Sequence, residues 1–122
     1  MMVGPEWNPY DRNCPTRQLL DRIGDRWTVL VIGTLQSGPQ RFGEIARHID
    51  GISQKMLTQT LRALEHDGLV TRTQYPQIPP RVDYELTEAG QSLRAPLKAL
   101  EDWAKQHMAS VREARDVYGG VL

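Results

Sequence analysis

The strongest constraint on the fold lies in the middle of the chain, where apolar spacing changes abruptly from helical to alternating. Phe42, Ile45, Ala46 and Ile49 recur at helical spacing and predict a short helix over about Gly43–His48. Asp50-Gly51 is a turn signal. Ser53 then stands as an N-cap before a longer helix over about Gln54–Asp67, which Gly68 closes. Leu69 to Gln74 is rich in β-branched residues, and Val82, Tyr84 and Leu86 alternate with Asp83 and Glu85. Both stretches read as strands, the second half-buried with its acidic residues outward. The segment Tyr75 to Arg81 contains Pro76, Pro79 and Pro80, so the strands form a hairpin with a stiff, extended tip.

The flanks read as helices. Pro15 suits a first helical position, Leu19, Leu20 and Ile23 give that helix an apolar side, and Gly24 ends it. A second helix covers about Asp25–Leu35, with Trp27, Val31 and Leu35 at four-residue spacing and Val29, Leu30 and Ile32 widening the face. Ser37-Gly38-Pro39 breaks it. After the hairpin, Thr87 caps a last helix whose stripe runs through Leu93, Leu97, Leu100, Ala104, His107 and Val111, with Trp103 beside it. Pro96 is expected to kink or break that helix. The fold class is therefore α+β, mostly α. A helix-turn-helix carries a two-stranded wing and is flanked by terminal helices. The expected layout is an arm over 1–13, one domain over 14–113 and a frayed tail over 114–122, with Gly119-Gly120 near its end.

The Gln54–Asp67 helix carries the functional signal. Leu57, Leu61 and Leu64 lie on one face with Met56 at its edge; Lys55, Thr58, Gln59, Arg62 and His66 lie on the opposite face. That second face, with Ser53 and Gln54 at its N-terminal end, is rich in hydrogen-bond donors, and only Glu65 and Asp67 are acidic. Such a face suits the DNA major groove. Gln pairs with adenine, Arg and Lys with guanine, and a Thr methyl meets thymine. An isolated amphipathic helix of this kind is more often just solvated; the turn before it and the hairpin after it favour the groove-reading role. Arg81 is expected at the wing tip, reaching phosphate or the minor groove or simply standing in solvent. Arg72 is a weaker candidate on the first strand. Arg41 contacts phosphate or pairs with Glu44.

Charge neither demands nor forbids this. Fifteen basic residues balance fifteen acidic ones. Residues 36–82 carry six basic and four acidic groups, while residues 83–122 carry five and seven, so the middle is modestly basic. No apolar run approaches the ~18 residues of a membrane span, and the start resembles no signal peptide. A cytoplasmic protein that avoids the membrane is expected. No phosphate-cradling loop, hydrolase elbow or zincin motif is present. His48, His66 and His107 are scattered, so no catalytic residue, cofactor or metal is assigned. The competing reading is a winged helix used only for protein–protein contact.

Several runs resemble the HxlR family of bacterial, MarR-like winged-helix regulators. They are Cys14-Pro15, Ile23 to Thr28, Gly38 to Ile45, Gly51 to Arg62, Leu64 to Val70 and Pro79 to Thr87. The likeness spans about Cys14 to Trp103. It implies a dimeric repressor or activator acting on double-stranded DNA, with the first and last helices forming the homodimer interface and the Gln54–Asp67 helix as reader. The candidate interface residues are Trp7, Tyr10, Leu19, Leu20, Ile23, Leu97, Leu100, Trp103 and His107.

Cys14, the only cysteine, lies at the start of a helix near Arg12 and Arg17, a setting that favours thiolate. Several members of the family it resembles sense oxidants or electrophiles through a cysteine near this position, so the resemblance implies the same candidate role for Cys14. The alternative is a thiol that merely packs near the interface. Trp27, Trp103 and Tyr84 line an unassigned small-molecule effector pocket or are simply core and interface.

Overall fold

A computed structural model describes residues 7–120. Its elements run α1 (Pro15–Ile23), α2 (Arg26–Leu35), α3 (Phe42–His48), α4 (Gln54–His66), β1 (Val70–Tyr75), β2 (Arg81–Leu86), α5 (Glu88–Ser92) and α6 (Arg94–Tyr118). Residues 1–6 of the expected arm and 121–122 of the expected tail lie outside the described residues.

Local chemistry sets the helix ends. The Asp25 carboxylate accepts from the backbone N–H groups of Trp27 and Thr28 and starts α2. Ser53 Oγ accepts from Met56 N–H at 3.0 Å and starts α4. Between α3 and α4, Gly51 takes φ 85°, a left-handed conformation that favours glycine. Glycine thus makes the tight turn of the helix-turn-helix.

The core lies where α2, α3 and α4 meet the root of the hairpin. Val31, Ile32, Leu35, Ile45, Leu57, Leu61, Leu64, Val70 and Leu86 form it. β1 and β2 pair antiparallel from Val70↔Leu86 to Tyr75↔Arg81. Gln40 adds a further rung by exchanging backbone hydrogen bonds with Tyr84 at 2.9 and 2.8 Å. The wing is thereby tied to the segment leading into α3.

Four expectations change. The last helix is two, α5 and α6, separated at Leu93. Pro96 falls in the first turn of α6, where its missing N–H removes no helical hydrogen bond. The chain from 114 is not frayed up to Tyr118; α6 continues there and Gly119 caps it at φ 73°. Asp83 faces inward, 6% exposed, because Arg81 pairs with it.

Between the wing and α6, Thr87 Oγ donates to Gly68 O and accepts from Gly90 N–H. This draws α5 so close to Leu69 that a Cβ on Gly90 would collide with the Leu69 carbonyl. Gly90→Ala should therefore lower stability by about 1–3 kcal/mol, as overpacking does. Urea unfolding of the variant measures this loss, and a midpoint equal to wild type would contradict the close approach.

Candidate nucleic-acid interface

α4 presents two opposed faces. Leu57, Leu61 and Leu64 are at most 2% exposed and Thr60 is buried beside them. At 100° per residue the opposite ridge is Lys55, Gln59, Arg62 and His66, all of them exposed. The five-residue face expected from the sequence is thus split. Thr58 is half-buried on the flank toward the wing. It lines a groove of 590 Å³ with Gln54, Arg62, Glu65, Arg72, Val82 and Tyr84. Gln59 borders a second hollow toward α1 and α2, with Met56. Ser53 spends its acceptor on the cap.

The arginines differ in their freedom. Arg62 and Arg72 both line the α4–wing groove, where Glu65 is the acidic neighbour. Arg41 is the N-cap of α3, and its backbone N–H donates to Glu44 Oε1 at 2.9 Å. Arg81 departs from expectation. It is not at the wing tip but at the start of β2, where its guanidinium donates to both Asp83 oxygens at 3.0 and 3.1 Å. It also lies over the Tyr75 ring. The pair perturbs both groups. Hydrogen bonding from Arg81 holds the Asp83 carboxyl below the usual range, and Asp83 raises Arg81. Position after three prolines suggested the tip itself; pairing with Tyr75 makes Arg81 the last rung of the ladder, just below the tip loop 76–80.

At the far end of α4, Asp67 accepts from Arg22 of α1 at 2.9 Å and from His66 at 2.9 Å. Burial is the largest influence on this carboxyl and pushes it up. The hydrogen bonds from His66 and Arg22, with their charges, outweigh burial and hold it below its ordinary value. Sequence reading missed this tie, because no local pattern links residues 45 positions apart.

Much of the apolar surface on the terminal helices is uncovered. α1 buries none of its residues, and Leu19 and Leu20 are 44% and 48% exposed. On α6, Leu100 and Trp103 are 63% and 56% exposed, and Trp103 stacks on His107. Trp7 and Tyr10 are exposed as well. Two members of the expected interface set belong elsewhere: Leu97 is in the core and Ile23 packs against it. Ile23 is the last residue of α1, and Leu97 lies near the start of α6.

Trp27, Trp103 and Tyr84 do not meet. Tyr84 lines the wing groove, Trp103 lies on α6, and Arg26 covers Trp27. Cys14 is the N-cap of α1 and is 6% exposed. Arg17 donates to the carbonyls of Pro9 and Tyr10. No group of His, Cys, Asp and Glu able to hold a metal occurs among the described residues. No helix among them is long and apolar enough to cross a membrane.

A helix-turn-helix with a wing tied to its second helix invites comparison with known regulators. The HxlR-like helix-turn-helix family model matches residues 22–112. The chain belongs to that family. It is 40% identical over 111 residues to the uncharacterised HTH-type transcriptional regulator YtfH of Escherichia coli K12, covering 91% of this chain and 88% of YtfH. The structure of YtfH from Salmonella typhimurium superposes with a TM-score of 0.83 at 38% identity, covering 89% of this chain and 97% of that one. The redox regulator HypR in its oxidised form is similar at a TM-score of 0.70 and 40% identity, covering 76% and 96%. The protein is accordingly an HTH-type transcriptional regulator.

The Asp67 contacts have a pH signature. A carboxyl held below its unfolded value contributes stability above that value and loses it as pH falls through the folded one. Wild type should therefore lose part of its stability below about pH 4. Asp67→Asn should be less stable at pH 7 and have a flatter acid limb. Thermal melts from pH 7 to 3 measure the difference; parallel curves would rule out the contribution.

Proposed function

We infer that this regulator is a homodimer that reads a pseudo-palindromic operator in double-stranded DNA, with the outer ridge of α4 in the major groove. One observation carries the reading. Lys55, Gln59, Arg62 and His66 are exposed together on a helix whose other side is built into the core. Gln59 and Arg62 are the base-reading candidates, Lys55 reads guanine or phosphate, and Thr58 faces the edge nearer the wing. Ser53 and Gln54 stand at the α4 N-terminus, where free N–H groups favour phosphate. Arg41 and Arg72 are backbone contacts. Arg81, held by Asp83, contributes less than a free cation would.

A second copy covers the apolar surface of α1 and α6. Leu19, Leu20, Leu100 and Trp103, with Trp7, Tyr10 and His107, are its contact set, and each is at least partly exposed. Two-fold symmetry then places two α4 helices about one helical turn of DNA apart, or a multiple of that.

Any response to oxidants or electrophiles would run through Cys14, the chain's only thiol. The likeness to the redox regulator HypR supports this reading, and because Cys14 is 6% exposed an oxidant must first gain access to its thiol.

Four measurements test this. Gln59→Ala or Arg62→Ala should reduce discrimination between operator and random duplex by ~1–3 kcal/mol, measured by fluorescence anisotropy. Equal losses on both duplexes would make these residues backbone contacts. No gel shift by wild type with promoter DNA would leave only the protein–protein module. Leu100→Glu should convert the dimer to a 13.9 kDa monomer in sedimentation, and an unchanged mass would exclude α6 from the interface. Cys14→Ser should abolish any loss of DNA affinity caused by diamide; an unaltered response would remove Cys14 from that role.

A further inference from the structure

The wing ends in a segment without charge. Residues 73–80, Thr-Gln-Tyr-Pro-Gln-Ile-Pro-Pro, contain neither acid nor base. The next residue, Arg81, is committed to Asp83 and the Tyr75 ring. The tip therefore lacks the free cation that a phosphate contact needs. It offers Ile78 instead, 99% exposed. Pro76, Pro79 and Pro80 limit the backbone freedom around this side chain, so presenting it costs little further ordering.

The wing has the reach to bring that side chain to DNA. Six-residue strands at about 3.3 Å per residue carry the tip roughly 20 Å from the buried root at Val70 and Leu86. The major groove that would receive α4 is about 12 Å wide. A hairpin rooted just beyond the α4 C-terminus is long enough to cross the flanking sugar–phosphate strand. Arg62 and Arg72 line the groove between α4 and the wing, where that strand would pass.

We propose that Ile78, braced by its flanking prolines, is an apolar wedge that enters the minor groove next to the major groove read by α4 and partly unstacks one base step. This rests on the DNA-binding reading above and adds a contact without hydrogen bonds or charge. Branched aliphatic and proline side chains act as wedges in minor grooves and kink the duplex toward the major groove. Ile78 thereby selects sequence through deformability, favouring a flexible pyrimidine–purine step opposite the tip.

The experiment uses the full chain and duplexes that wild type selects from a random-sequence pool, labelled at both ends for energy transfer. Ile78→Ser should weaken binding to a selected duplex about tenfold, straighten the bound DNA and remove the preference at the flexible step. Its salt dependence should stay that of wild type, because no counterion-releasing contact is lost. Ile78→Leu should restore affinity and bend. Arg72→Ala should do the reverse, lowering the salt slope by about one while keeping the bend. Because Ile78 lies wholly in solvent, its variants should fold as wild type does. An Ile78→Ser protein that binds and bends DNA like wild type overturns the wedge. So does a wild type that binds its selected duplexes without bending them, and in that case the α4 reading stands. A wild type that selects no duplex overturns both.

Discussion

Everything on the outward side of this domain depends on how α4 is seated. Leu57, Leu61 and Leu64 sink into the core, with α4 packed against α2 and the β1 root of the wing. Each contributes about 2 kcal/mol by leaving water. The roll of the helix is fixed as much by what it must keep out. Turning it by half a revolution would drive Lys55 and Arg62 into the core. Burying an unpaired charge costs several kcal/mol. Two opposed penalties therefore set which side chains face a partner. The Ser53 cap and the Gly51 turn fix where the helix begins and how it departs from α3.

The wing is positioned from the same base. The Gln40–Tyr84 bridge holds it to the approach of α3, and the contact of Gly90 with Leu69 holds it to α5. Its charges largely cancel within the hairpin, since Arg81 is spent on Asp83. Arg62 on α4 and Arg72 on β1 are then the cations that line the groove between α4 and the wing. A chain of zero formal net charge can still present a locally basic face this way.

Much of this was legible in the residues. The helical spacing of Phe42, Ile45 and Ile49, the Asp50-Gly51 turn and the Ser53 cap placed α3 and α4 within a residue or two of their observed bounds. Alternation of Val82, Tyr84 and Leu86 located β2. The same alternation misplaced Asp83, because a rule of period two sees side-chain polarity but not a neighbouring guanidinium that makes burial tolerable. Leu97 and Leu100 look alike along the α6 stripe, yet one is in the core and the other is not. Periodicity gives the direction of a face, whereas burial depends on how far the partner element extends. The Arg22–Asp67 pair and the Gln40 bridge were illegible for a related reason. Both join residues more than 40 positions apart and exist only once the core has closed.

The length of α6 has a consequence for control. It has 25 residues, about 37 Å at 1.5 Å per residue, yet only Leu97 near its start is buried. Beyond that anchor the rod gains little from its own chain. The second copy proposed above, lying along it, would make order in the rod a function of protein supply. At low abundance the population of paired molecules grows as the square of the total. Small changes in synthesis or turnover would then be amplified at the gene, giving a steeper-than-linear response even without an effector.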